Sequence, residues 1–92
     1  MDMALIKKML IAYLQEKIKE LDAAITAKNY DDIKGIAHKI KGNSGSLAIG
    51  LGVFNDIGKL IERGAIDHEP IEKIIENFNQ LKSEYEKVAS AL

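Results

Sequence analysis

Apolar side chains three or four residues apart run almost from end to end of this sequence, and that period admits helices and little else. Ile6, Leu10, Leu14, Ile18, Leu21 and Ile25 keep the spacing and predict a long amphipathic helix over Met3–Ala27, with Asp2 as its cap. Leu5, Met9 and Tyr13 widen the stripe, so a break near residue 8 is compatible with the pattern. Asn29 is placed to cap a second helix, with Asp31 and Asp32 in its first turn, where the helix dipole favours anions. Its expected buried stripe is Ile33, Ile36, Ala37, Ile40 and Leu47. Gly50 and Gly52 mark a turn, after which Val53, Phe54, Ile57, Leu60 and Ile61 predict a shorter third helix ending near Gly64. Asp67 is expected to cap the fourth helix and Pro70 to occupy its first turn, where a missing N–H does no harm. Ile71, Ile74, Ile75, Phe78, Leu81, Tyr85, Val88 and Leu92 carry the spacing onward. No stretch alternates as a strand does, and each connection is short, so consecutive helices are expected to be neighbours of opposite direction. The predicted fold is all-α: an antiparallel up-down-up-down four-helix bundle forming one domain over residues 1–92.

Composition narrows the functional classes. Hydrophobic residues make up 47% and charged residues 29%, the balance of a globular domain. The formal net charge of −1 argues against a general nucleic-acid binder, and the apolar runs are too short for a membrane span or signal-peptide core. The absence of cysteine excludes a disulfide framework and a thiolate metal site. A cytoplasmic monomer with no nucleic-acid and no membrane partner is expected.

All seven glycines fall between Gly35 and Gly64, and one of the two histidines, His38, stands among them. At about 100° per residue, the second helix turns His38 away from its apolar stripe and sets Gly35, Gly42 and Gly45 on the same outer side. Three glycines in a helix cost it on the order of 2–3 kcal/mol relative to alanine. Glycines that do not face the core are explained if another surface must approach the imidazole closely. Lys34 and Lys41 lie about one turn to either side of His38 and would attract a negatively charged group brought to the ring. A neutral imidazole is a competent nucleophile, and ammonium groups stabilise charge on a transferring phosphoryl group. An exposed histidine between solvating lysines is the plainer alternative.

"AHKIKGNSGSL", Ala37 to Leu47, resembles the signature of histidine phosphotransfer (HPt) domains: an alanine-histidine pair, an apolar residue, lysine-glycine, then small residues. The likeness extends weakly to the "LIE" at Leu60–Glu62, while Ser46 and Ala48 depart from the asparagine and glycine common in the family, and "AIGLG" is longer than usual. The resemblance implies a four-helix bundle that passes phosphoryl groups between receiver-domain aspartates in a two-component phosphorelay. It makes His38 the phosphorylated nucleophile, Lys41 the charge-stabilising lysine, and Gly42 and Gly45 the small positions that let a receiver dock. Lys34 adds auxiliary charge and Gly35 a further docking position by their places on the helix. The implied partners are a response-regulator receiver domain and a hybrid sensor histidine kinase. No cofactor is expected on this chain, the divalent ion residing on the receiver.

Other chemistry finds less support. "GVFNDIGK", Gly52–Lys59, is one residue too long for a phosphate-binding loop, has Leu60 in place of Ser or Thr, and follows no strand. Autonomous kinase activity is therefore not expected. His68, beside Asp67 and Glu69, reads as a solvated loop histidine and not as a metal ligand. A non-catalytic helical adaptor that docks a signalling partner through the glycine-rich face is the alternative to a phosphoryl carrier.

Overall fold

The computed structural model describes residues 3–42 and 52–90. Four helices account for the regular structure there: α1 Met3–Thr26, α2 Tyr30–Gly42, α3 Gly52–Ile66 and α4 Ile71–Ser90. The expected roles of Asp2, Gly45, Leu47, Gly50 and Leu92 fall outside the described residues. No break interrupts α1 near residue 8.

Two turns of one design join the helices in pairs. After α1, Lys28 N–H reaches Ile25 O at 2.9 Å and Asn29 N–H reaches Ala24 O at 3.0 Å, with Lys28 in the left-handed region at φ 55°. After α3, His68 N–H bonds Ala65 O and Glu69 N–H bonds Gly64 O, with His68 at φ 52°. Both are Schellman closures, which use up the last helical carbonyls and reverse the chain. Neither left-handed position is a glycine, so glycine does not mark either helix end in the sequence.

This geometry corrects one expectation at the α3–α4 junction. Asp67 does not cap α4, because its N–H bonds Arg63 O and extends the closing turn of α3. The cap position belongs to Pro70, whose carbonyl accepts from Lys73 and Ile74 ahead of the helix that starts at Ile71. The third helix ends at Ile66, two residues beyond Gly64, which is buried within it. A Cβ there would lie 2.9 Å from the far end of the Glu69 side chain, which would have to shift, and 3.4 Å from Ile74 of α4, an ordinary contact. At the head of α2, Asn29 Oδ1 accepts the Asp32 N–H as expected of an N-cap.

Every helix contributes to the core. Leu21, Ile33, Ile40, Phe54, Ile61, Ile74 and Leu81 are almost wholly buried. Burying each such side chain is worth about 1.5–3 kcal/mol, and α2, with 13 residues, is marginal as an isolated helix, so packing holds it. The stripes are narrower than the spacing implied: Leu60 and Ile75 are exposed, Ile36 is only half-buried, and Ile11 joins the core.

Candidate functional site between α2 and α3

One glycine lets α3 lie close against α2. A Cβ on Gly58 would stand 3.2 Å from each of Ala37 O, Ile40 Cγ2 and Lys41 N, two of them backbone atoms. A side chain there would push α3 away from α2. Glu62, one turn after Gly58, is thereby brought against the second helix. Pairing runs from Gly58 beside Lys41, through Glu62 beside His38, to Glu69 beside Tyr30. The numbers rise along α3 and the turn after it as they fall along α2, the order of antiparallel neighbours.

Glu62 joins the two side chains singled out in the sequence. Its Oε2 lies 2.6 Å from His38 Nδ1 and its Oε1 2.7 Å from Lys41 Nζ. The hydrogen-bonded Lys41 ammonium, aided by the His38 bond, holds the Glu62 carboxyl below the usual carboxylate range against the opposing effect of burial. An ionised carboxylate only accepts, so Nδ1 is the donor in this bond, and in the neutral ring Nε2 is the nitrogen with the lone pair. The His38 side chain is 65% exposed, whereas that of Glu62 is 13% exposed. A half-sheltered carboxylate thus grips the inner nitrogen of a ring that projects into solvent. Lys41, at 31% exposed, lies lower against α3 than an outward lysine would.

A match to the Hpt domain family model covers residues 6–91, essentially the whole chain. The chain belongs to the Hpt domain family. Such domains carry phosphoryl groups on histidine in phosphorelays, without kinase activity of their own, and work with receiver domains and kinases. Comparison with curated proteins and with solved structures gives no match.

In this Hpt domain the expected docking glycines separate. Gly42 ends α2, and among the described residues nothing lies within 4 Å of a Cβ added there. Gly35 is equally open but lines a groove between α1 and α2 with Ala23 and Ala24 of α1. Lys34 is exposed, while Gly45 lies outside the described residues. His68 is exposed and also stacked on Tyr30, ring centroids 4.9 Å apart, while Tyr30 Oη donates to Glu69 O at 2.8 Å. No helix among the described residues is long and apolar enough to cross a membrane, and none of their acidic and histidine side chains cluster as a metal site.

Glu62 is the residue that the motif reading does not single out. It stands 24 positions from His38, and the packing of α3 on α2, close at Gly58, brings the two together. Its signal in the sequence is indirect: an acidic residue one helical turn after a glycine that sits in a core stripe.

Proposed function

We propose that His38 is the phosphoryl-carrying residue, accepting the group from an aspartyl phosphate of a response-regulator receiver and returning it to such an aspartate. The observation that carries this reading is the clasp of one carboxylate on both His38 Nδ1 and Lys41 Nζ. With Nδ1 taken up by Glu62, Nε2 of the neutral ring is the nitrogen left to react. In the transfer, that lone pair attacks phosphorus while the bond from phosphorus to the aspartyl oxygen breaks, and the electron pair leaves with the aspartate carboxylate. The Nδ1 proton stays in the hydrogen bond to Glu62, whose negative charge offsets the positive charge the ring gains. Lys41 is one turn from the ring and within reach of the incoming oxygens, with Lys34 as auxiliary charge. Gly42 keeps the approach clear. No cofactor is needed on this chain; the divalent ion belongs to the receiver, and a hybrid sensor kinase is the ultimate phosphoryl source. The chain works as a monomer in the cytoplasm.

The test is incubation with phosphorylated receiver domains. The wild-type protein acquires an acid-labile label and His38→Gln, folded to the same melting temperature, acquires none. An adaptor would bind the receiver without taking its label. Undiminished label on His38→Gln, at His68 or elsewhere, overturns the assignment.

A further inference from the structure

The near-neutral total charge hides a polarity across the face that carries His38. On the α3 side, a hollow of about 350 Å³ is lined by Lys41, Lys59, Arg63 and Ile66 around Glu62, three cations to one carboxylate. Glu62 is the same residue that clasps His38, so the hollow is continuous with the proposed phosphoryl site. Lys34, seven residues before Lys41, stands on that side of α2 as well. On the α1 side, the groove lined by Gly35 holds Glu20, Asp31 and Asp32 against Lys39, three carboxylates to one ammonium. The pairs Lys17–Glu20 at 2.8 Å and Arg63–Asp67 at 3.7 Å trim the two flanks without reversing either sign. Residues 43–51 contain no charged side chain and add nothing to either side.

We infer that these oppositely charged flanks select the receiver and fix its orientation over His38: the partner lays acidic side chains over Lys59 and Arg63, and basic ones over Glu20 and Asp31. Opposite charges on the two sides of one ridge attract a complementary surface in one orientation and repel it when turned by half a revolution. Local fields of this kind raise association rates by about 10–10³-fold and fade as salt shortens the screening length. Ile66, 47% exposed at the edge of the basic hollow, supplies apolar contact that salt does not weaken.

This inference rests on the proposed carrier function, and the experiment separates the two. From a panel of phosphorylated receivers, the one that transfers fastest to wild type is used with a charge-reversed basic flank, Lys59→Glu with Arg63→Glu, and a neutralised acidic flank, Glu20→Gln with Asp31→Asn. At low salt the first variant loses about tenfold or more in kcat/KM and the second about threefold, and both converge on wild type near 1 M salt. Labelling of His38 by phosphoramidate, a donor with no docking surface, is unchanged in both variants, and equal melting temperatures exclude misfolding. Rates and salt profiles equal to wild type on either flank overturn the orientation device while leaving the carrier function intact. A wild-type chain that accepts phosphoryl from no receiver removes the carrier function, and this inference with it.

Discussion

Glu62 turns two separately ordinary side chains into a unit, and its removal is the most informative single change. Glu62→Gln keeps the shape but loses the charge that orients the imidazole, so receiver-to-His38 transfer should fall about 10- to 100-fold. The same substitution is visible in stability. Because the Glu62 carboxyl is held below its ordinary value in the folded protein, its contribution is present above the unfolded-state value near 4.3 and disappears as pH falls through the lowered folded-state value. Melting temperature followed from pH 6 down to about pH 3 should therefore decline more steeply for wild type than for Glu62→Gln. Parallel curves would mean that the pair contributes nothing to stability. Lys41→Ala should slow transfer and lower stability by no more than about 1 kcal/mol, because the ion pair is partly solvated. That His38 and Lys41 share one side of α2 was legible from spacing, since both lie on one helix; the place of Glu62 beside them was not, because no periodicity within one helix encodes what a neighbouring helix faces.

At the scale of elements, the glycines divide by what surrounds them, which the sequence does not reveal. Gly35→Ala in the open middle of α2 should stabilise the protein by up to about 1 kcal/mol through helix propensity. Gly58→Ala should destabilise it by about 1–3 kcal/mol in spite of the same propensity gain, because the new methyl meets backbone of α2 at 3.2 Å. Chemical denaturation of the two variants checks both signs. The helix ends were the least legible feature for a related reason: Lys28 and His68 occupy left-handed positions where glycine would have advertised a stop. Lys28→Gly relieves that backbone and should raise stability by up to about 1 kcal/mol, measured in the same titration.

For the molecule as a whole, the four-helix count and most buried positions followed from the three-four spacing, because each helix hides one stripe from water. Leu60 and Ile75 broke that rule, exposed where the pattern predicted core, since apolar residues are not confined to interiors. What spacing could not supply is how the two turns at one end of the bundle are tied. Tyr30 Oη bonds the carbonyl of Glu69 while its ring stacks on His68, linking the start of α2 to the α3–α4 turn. Tyr30→Phe should cost about 1 kcal/mol in global unfolding, the usual net worth of one such bond.

Among the described residues, the clasped imidazole and both charged flanks of the proposed site are built from α1, α2, α3 and the turn residue Ala27, with no side chain from α4. The fourth helix is a foundation, and its outer face is the place where the molecule can be handled. The chain contains no cysteine, so a single thiol introduced at exposed Glu76 or Asn79 offers a unique point for a dye, a spin label or a tether to a sensor chip. A protein held by that back leaves the proposed phosphoryl site facing solution, so that encounters with candidate receivers can be timed one after another.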